Sequence, residues 1–191
     1  MKNNTKITFI QPGFAHYRKD FFELLHNNYY VQFIFLNEKS TYTSQIELNP
    51  DWNVITLRKE NNKFWKIDLI KQIIKTKPDI IITSNNGSPQ SIISGIISAL
   101  FRIPLILWSE GWIYPQYDNA KPFWKRWVKH LKSKLTSTFA NAVIVSGQKS
   151  EEYNRNLLNK RKPIFKAYQS TRDILKQTNF KFQSMLPSMH L

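Results

Sequence analysis

Glu110 and His16 are the two side chains whose type and position in the sequence best suit chemistry on a hydroxyl group. Glu110 follows an apolar run at 105–108, and in the basic stretch 80–150 the only other acid is Asp118. A carboxylate in such surroundings could position or deprotonate a hydroxyl group. His16 stands in the turn after the first apolar run. We therefore predict catalytic roles for both residues; the alternatives are a structural Glu110 paired with a lysine and a His16 that caps or packs its turn.

Residues suited to binding a ligand stand directly after four strand-like apolar runs. Glycine permits tight turns and close approach of a ligand to the backbone, and amide side chains both donate to and accept from sugar hydroxyls. An aromatic face fits the apolar face of a pyranose, and backbone N–H groups at the start of a helix suit an anion. The predicted ligand-binding residues are Gly13, Phe14, Tyr17, Arg18, Asn85, Asn86, Gly87, Gly111, Trp112, Ser146, Gly147 and Lys149.

These groups also have plainer interpretations. Asparagine, serine and glycine are ordinary turn and helix-cap residues, and capping is the simpler interpretation of Ser88 and Ser150. Arg18 could be a solvated side chain, and Trp108 and Trp112 could belong to the core. The four histidines are scattered and cysteine is absent, so the sequence predicts no metal site. The glycine-rich motifs that bind nicotinamide, flavin or nucleoside triphosphate do not occur either.

The elements that must position these residues alternate between two types along the chain. Short apolar runs predict strands at 6–11, 30–36, 52–57, 79–83, 104–108, 142–146 and 163–168. Helical spacing predicts helices at 16–26, 63–75, 88–101, 122–139 and 150–159. Strands separated by helices form right-handed crossovers. The predicted fold class is α/β, with Rossmann-like αβα layers and a mainly parallel sheet, whose carboxyl strand ends would bring the ligand-binding residues together.

Two of the predicted helices carry an apolar row that we expect to face the core. In the first helix the row is Tyr17, Phe21, Leu24 and Leu25. In the second helix the row is Phe64, Ile67, Ile70 and Ile74. Pro78 should end the second helix, because the residue before a proline is pushed out of the helical region.

The helix at 122–139 combines an apolar stripe with a strongly basic surface. The sequence contains no acid between 119 and 149, and the stripe consists of Trp124, Trp127, Val128, Leu131, Leu135 and Phe139. In the interpretation that we favour, this stripe packs on the sheet and the lysines face water. In the other, the helix lies in an anionic membrane surface with its tryptophans at the headgroup level. The second interpretation assigns membrane contacts to Trp124, Lys125, Arg126, Trp127 and Lys129.

Composition limits the classes of protein that fit. The 191 residues are 41% hydrophobic and carry a net charge of +15, which indicates a globular protein that favours anionic partners. The longest apolar stretch, 92–107, is interrupted by Arg102 and Pro104 and is too short for a bilayer, which takes about 20 residues. No apolar leader follows Met1. We therefore expect a cytoplasmic location, peripheral on the inner face of the membrane if the basic helix binds lipid.

Four segments, taken in their order and spacing, resemble the N-terminal domain of GT-B glycosyltransferases, in particular the family 4-like group. The first is the opening from Pro12 through 16–25 (HYRKDFFELL), and the second is 78–82 (PDIII). The third is the strand end 107–111 (LWSEG), and the fourth follows the basic helix at 141–153 (NAVIVSGQKSEEY). The resemblance covers about residues 6–170.

This resemblance implies a retaining transfer of a sugar from a nucleotide sugar to an acceptor hydroxyl, in a cleft between two Rossmann-like domains. The N-terminal domain would hold a glycan or lipid-linked acceptor. The nucleotide sugar, a co-substrate rather than a cofactor, would be held mostly by the C-terminal domain and its glutamate pair. Residues 1–168 would be the glycosyltransferase N-terminal domain, and 169–191 the start of an incomplete second domain or an irregular tail. We expect the chain alone to be inactive or weakly active, either as a truncated gene product or as one half of a split transferase whose donor-binding domain acts in trans.

Two other functions remain open at this point. The same cleft could serve a noncatalytic module that holds a glycan or a nucleotide. The basic surface could bind nucleic acid, but no nucleic-acid-binding module is recognisable in the sequence. We therefore expect no nucleic-acid partner.

Overall fold

In the part of the chain that the structure describes, seven strands form one sheet, and all of them are parallel. The computed structural model describes residues 2–14, 18–37, 49–58, 62–84, 87–110, 122–158 and 162–167. The strands are β1 (Asn3–Gln11), β2 (Tyr29–Phe35), β3 (Asn53–Thr56), β4 (Ile80–Ser84), β5 (Leu105–Ser109), β6 (Ala142–Val145) and β7 (Ile164–Lys166). The helices are α1 (Lys19–Asn28), α2 (Trp65–Thr76), α3 (Pro89–Phe101), α4 (Phe123–Phe139) and α5 (Gln148–Leu157). The predicted α/β class is confirmed.

The strand order places a switch point beside β1. The order is β3-β2-β1-β4-β5-β6-β7, so the chain runs outward from β1 to β3 and then crosses back to β4 on the other side of β1. Each neighbouring pair is parallel, and every strand therefore ends at the same edge, which we call the carboxyl edge. In open parallel sheets ligands bind at this edge near the switch point. The ends of β1, β4 and β5 meet there.

The sheet is packed on both faces. On one face Leu69 of α2 and Ile97 of α3 are buried among aliphatic strand residues. On the other face Phe22 of α1 lies in an aromatic cluster, with ring centroids 5.4 Å from Phe9 and 5.1 Å from Phe33. Each fully buried side chain of this size stabilises the fold by about 1.5–3 kcal/mol. The two cores therefore hold the strands in the register that forms the carboxyl edge.

The buried face of α2 differs from the predicted one. Its buried residues are Trp65, Leu69 and Ile73, whereas Ile67 and Ile74 of the predicted row are exposed. Both rows have helical spacing, so periodicity alone does not distinguish them. The row that contains the large Trp65 side chain is the one that packs on the sheet.

The buried face of α1 is also displaced from the prediction. Phe22 is fully buried, whereas Leu24 of the predicted row is exposed. Phe21 and Leu25 of that row are partly buried against the aromatic cluster. The helix is therefore turned so that Phe22 faces the strands.

Local signals set the ends of α2 and α3. The backbone N–H of Ser91 donates to Ser88 Oγ at 3.4 Å and Pro89 takes the first helical position, which confirms both predictions. Helix α2 ends before Pro78 as predicted, but Lys77 adopts a left-handed conformation with φ 46° rather than an extended one.

Helix α5 begins differently from the prediction. It starts at Gln148, with Gly147 as its N-cap residue and no side-chain cap. Ser150, the predicted cap, lies in the first turn and donates its hydroxyl to the Ser109 carbonyl oxygen at 2.7 Å. That hydroxyl therefore ties α5 to the end of β5.

Helix α4 packs through small side chains instead of its apolar stripe. Ser133, Thr136 and Ser137 are its buried residues, whereas Trp124 and Leu131 of the stripe are 62% and 49% exposed. The interpretation in which the stripe packs on the sheet is therefore wrong for Trp124, Trp127, Leu131 and Leu135. Phe139, at the end of the helix, is the stripe residue that packs against the core.

The close approach of α3 and α4 explains this choice of packing residues. A β-carbon on Gly95 would lie 2.7 Å from Phe139 Cδ2, and one on Gly87 would lie 2.7 Å from Ser133 Oγ. The missing side chains thus leave room for the Phe139 ring at Gly95 and for Ser133 and its backbone at Gly87. Within the described ranges, no helix combines the length and hydropathy needed to cross a bilayer.

Candidate functional site

The carboxyl edge holds the described residues that the sequence predicts as a ligand site. Gly13 and Phe14 follow β1, Gly87 follows β4, Glu110 follows β5, and the segment 146–149 follows β6. Because the strands are parallel, these segments share one edge. Six predicted site residues lie outside the described residues, namely His16, Tyr17, Asn85, Asn86, Gly111 and Trp112.

Arg18 links the ends of β1 and β5. Its Nη1 donates to Gln11 Oε1 at 3.0 Å, and its Nη2 forms an ion pair with Glu110 Oε1. Its Cζ lies 4.9 Å from the centroid of the Trp108 ring, within the range of a cation–π interaction. Arg18 is 7% exposed, so its interpretation as a solvated side chain is wrong. Glu110 is paired, as in the structural interpretation, but with an arginine instead of a lysine.

The topology explains why an arginine is tolerated in this buried position. Helix α1 starts at Lys19, which leaves Arg18 as its N-cap residue directly after the β1 turn. Burying a charge is costly unless it is paired and hydrogen-bonded. Gln11 at the end of β1 and Glu110 after β5 supply those partners, and they lie on either side of β4. The guanidinium therefore bridges the switch point.

Three polar side chains stand at one level of the neighbouring strands β1, β4 and β5. Ser84 is in register with Trp108, and Ile10 with Thr83, which places Gln11 beside Ser84. Gln11, Ser84 and Trp108 are buried. Among the described residues, Gln11 Nε2, Ser84 Oγ and Trp108 Nε1 have no hydrogen-bond partner. Buried polar atoms are normally hydrogen-bonded, so the partners of these three donors are groups outside the described residues, such as water or the acceptor groups of a bound molecule.

Glu110 is the accessible member of this network. Its side chain is 37% exposed, compared with 8% for Arg18. A carboxylate oriented by an arginine can accept a hydrogen bond from a hydroxyl group and fix its direction. The geometry therefore suits the positioning of a hydroxyl group at the carboxyl edge.

A second part of the edge is an open cavity beside the start of α5. Its volume is about 500 Å³, and it is lined by Ser146, Gly147, Gln148, Lys149, Ser150 and Glu152. Gly147 has extended backbone with φ 171°, and a β-carbon there would meet no atom within 4 Å. Gly87 has φ 78°, a left-handed conformation that favours glycine. Of these two positions, therefore, only Gly87 has a backbone conformation that requires glycine.

Buried hydrogen bonds brace this cavity against β5. Asn154 Nδ2 donates to Ser109 Oγ at 2.9 Å and to the Ser150 carbonyl oxygen at 2.7 Å. Together with the bond from Ser150 to the Ser109 carbonyl, they fix the first two turns of α5 on the end of β5. The cavity wall is therefore rigidly connected to the strand that precedes Glu110.

Two neighbouring cations lower the pKa of Glu151 in the first turn of α5. Lys166 Nζ lies 2.7 Å from its Oε2, and Arg155 Nη2 lies 3.0 Å from its Oε1. Hydrogen bonds from Lys166 and then Arg155 hold the pKa of Glu151 below its ordinary value. Among the described residues, no cluster of three or more potential metal ligands occurs.

The structure adds residues to the site and gives one predicted residue a core position. Phe14 is buried, with its ring centroid 5.6 Å from that of Phe22. The prediction omitted Gln11, Ser84 and Ser109. Their signal was available in the sequence, since each is the polar residue that ends an apolar strand.

The protein's sequence matches no family model and no curated protein, but its structure is similar to solved structures. UDP-N-acetylglucosamine 2-epimerase from Rickettsia bellii has a TM-score of 0.59 at 13% identity, covering 92% of this chain and 47% of that chain. Sucrose-phosphate synthase from Thermosynechococcus elongatus has a TM-score of 0.60 at 14% identity, covering 95% and 99%. Anabaena HepE, in complex with UDP and glucose, has a TM-score of 0.56 at 16% identity, covering 92% and 50%.

The chain spans about half the length of the epimerase and of HepE. At these identities the likeness is one of fold, and it includes the parallel sheet and its flanking helices. This protein therefore has the Rossmann-like α/β fold of a GT-B-like half-domain.

Proposed function

We propose that this protein is a glycosyltransferase-type domain that binds the acceptor during transfer of a sugar from a nucleotide sugar to a glycan or lipid-linked acceptor. The observation that carries this proposal is the Arg18–Glu110 ion pair at the carboxyl edge. Beside it lie buried polar groups that have no partner among the described residues. Such a mixture suits a sugar, because each hydroxyl group both donates and accepts.

The structural neighbours support the choice of a sugar nucleotide as the second substrate. One is named for UDP-N-acetylglucosamine, and another is solved with UDP and glucose. In our proposal a second Rossmann-like domain holds most of the nucleotide sugar, and residues 1–168 present the acceptor to it. The resemblance of four sequence segments to family 4-like enzymes supports this arrangement and a retaining outcome.

The proposed roles follow from the geometry of the edge. Glu110 orients the acceptor hydroxyl group, and Arg18 positions Glu110 while Gln11 fixes the guanidinium. The cavity at 146–149 contacts a further part of the acceptor or a phosphate group. The roles of His16 and of the other site residues outside the described ranges stay predictions.

Saturation-transfer NMR of the full chain tests acceptor binding. The probes are a panel of neutral oligosaccharides, together with UDP-glucose and UDP-N-acetylglucosamine. We expect oligosaccharide signals that weaken about tenfold in Glu110→Gln, which loses one charge-assisted hydrogen bond. Glu23→Gln, which removes an exposed carboxylate of α1, is the matched control and should leave binding unchanged. Absence of both oligosaccharide and nucleotide-sugar binding would contradict the proposal.

A transfer assay separates the enzyme from a noncatalytic binding module. Labelled UDP-sugars are incubated with an oligosaccharide that binds, with the chain alone and with a donor-binding domain added. Transfer that requires both proteins supports the proposal. Binding of the oligosaccharide without transfer in either mixture supports the noncatalytic module.

A further inference from the structure

Helix α4 has an apolar face that points away from the other described residues. At about 100° of rotation per residue, the buried Ser133, Thr136 and Ser137 centre on one side of the helix. Four large apolar residues centre about 180° away, and we call them the outer face of α4: Trp124, Trp127, Leu131 and Leu135. They are between 44% and 62% exposed.

Cations border this outer face. The same geometry places Lys125 and Lys132 on one side of it and Lys134 on the other, and all three are exposed. Neither α4 nor its neighbour α3 contains an aspartate or a glutamate, and α3 contains no charged residue at all. Helix α3 also exposes Ile96 and Leu100. The region is therefore apolar at its centre, cationic at its border and free of acidic side chains on these two helices.

We propose that the outer face of α4 docks on the surface of an anionic lipid bilayer, with the helix axis parallel to the membrane plane. Tryptophan favours the headgroup level of a bilayer, and leucines reach the acyl boundary beneath it. Lysines at the border of such a face extend their ammonium groups to the lipid phosphates. This docking does not depend on the proposed activity.

The distribution of charge favours lipid over two other occupants. A second copy of the chain would bring two lysine-bordered faces together, and like charges at an interface repel. Nucleic acid binds through phosphate contacts with lysine and arginine, which requires cations at the centre of the face. Here the centre consists of tryptophan and leucine, and the cations lie at its border.

Vesicle sedimentation with the full chain tests the role of the cations. Vesicles of phosphatidylcholine alone are compared with vesicles that also contain phosphatidylglycerol, and binding is expected only to the latter. The triple variant Lys125→Gln, Lys132→Gln, Lys134→Gln should bind about a hundredfold more weakly, because each cation near an anionic surface contributes about fivefold. The control variant Lys63→Gln, Lys71→Gln, Lys75→Gln removes the same charge near and on α2 and should change binding by less than about fivefold.

Fluorescence quenching measures whether the apolar residues of the outer face of α4 insert into the bilayer. Brominated lipids should quench tryptophan fluorescence of the bound chain, and Trp124→Phe with Trp127→Phe should remove that quenching. Leu131→Ala should weaken binding several-fold, whereas Leu24→Ala, at a comparably exposed leucine of α1, should not. All these side chains are exposed, so circular dichroism melting curves should match those of the unmodified chain.

Four results would overturn the proposal. The first is that the two triple lysine variants weaken vesicle binding equally, and the second is that the chain binds both kinds of vesicle equally. The third is a dimer in light scattering that depends on Trp124, together with no vesicle binding. The fourth is binding of a DNA duplex that the α4 lysine variant abolishes, again with no vesicle binding.

Discussion

Arg18 makes contacts through two different nitrogens of its guanidinium, and this geometry distinguishes arginine from lysine. Nη1 donates to Gln11 and Nη2 pairs with Glu110, while the guanidinium plane lies near the Trp108 ring. A lysine ammonium is a single point charge and lacks the planar fork. The position therefore requires a planar donor as well as a positive charge.

We expect Arg18→Lys to lower the free energy of unfolding by about 1–2 kcal/mol, the value of a hydrogen bond to a charged group that is lost in a buried site. Urea unfolding measures the effect. Arg155→Lys, at an exposed arginine of α5, is the matched control and should change stability by less than about 0.5 kcal/mol. Equal effects at the two positions would show that the buried bridge contributes nothing specific.

Glu151 makes stability depend on pH in the acid range. Hydrogen bonds from Lys166 and Arg155 lower the pKa of its carboxyl below its ordinary value of 4.5. Such a group stabilises the fold at pH values above 4.5, and this stabilisation is lost as the pH falls through the lowered pKa. In Glu151→Gln the unfolding midpoint should therefore fall less over that acid interval than in the unmodified chain. Glu23→Gln serves as control, and coincident pH profiles for Glu151→Gln and the unmodified chain would refute the assignment.

At the level of elements, the contact between α3 and α4 depends on the absence of a side chain at Gly95. A β-carbon there would approach Phe139 Cβ to 3.1 Å as well as its ring, so the two helices would have to separate.

Gly95→Ala should therefore lower the free energy of unfolding by about 1–3 kcal/mol, as overpacking of a close interface does. Gly147→Ala is the matched control, because a β-carbon at that position meets open space. Its free energy of unfolding should stay within about 0.5 kcal/mol of that of the unmodified chain. Thermal unfolding of both variants makes the comparison. A neutral Gly95→Ala would mean that the overpacking costs no more than the roughly 1 kcal/mol by which alanine is favoured over glycine inside a helix.

The sheet and the order of its helices could be predicted because they depend on local patterns. The isoleucines at 80–82 are β-branched and apolar, as a strand buried on both faces requires. Pro89 and Ser88 mark the start of α3 through rules that involve only neighbouring residues. The resulting parallel sheet was sufficient to predict that the described candidate site residues share the carboxyl edge.

The faces of the helices and the ion pair could not be predicted in the same way. Ser133 packs against Gly87 and Phe139 packs against Gly95, each about 45 residues earlier in the sequence, which is a property of the packed structure. The burial of Arg18 likewise depends on Glu110, which follows β5, a strand that is not adjacent to β1. The spacing of residues in the sequence predicts neither the packing of α4 nor the Arg18–Glu110 ion pair.

For the whole molecule, the net charge of +15 should make stability depend on salt. Self-repulsion of like charges destabilises the compact state, and raising salt from about 0.01 M to about 0.1 M shortens the Debye length from about 30 Å to about 10 Å. We expect the urea midpoint to rise over this range. A variant with Lys71→Glu and Lys75→Glu has a lower net charge, and its urea midpoint should rise less over the same range of salt than that of the unmodified chain. A midpoint that falls with salt would mean that attractive ion pairs outweigh the repulsion.

The absence of space between Gly87 and Ser133 has a mechanical consequence. Gly87 belongs to the turn that leaves β4 at the carboxyl edge, and its Cα faces the backbone of α4 with no gap for even a methyl group. Because of this contact, we expect a displacement of α4 to be accompanied by a displacement of that turn. Helix α4 and this turn are therefore expected to move together, so that binding at the outer face of α4 would displace the carboxyl edge, where the proposed acceptor site lies.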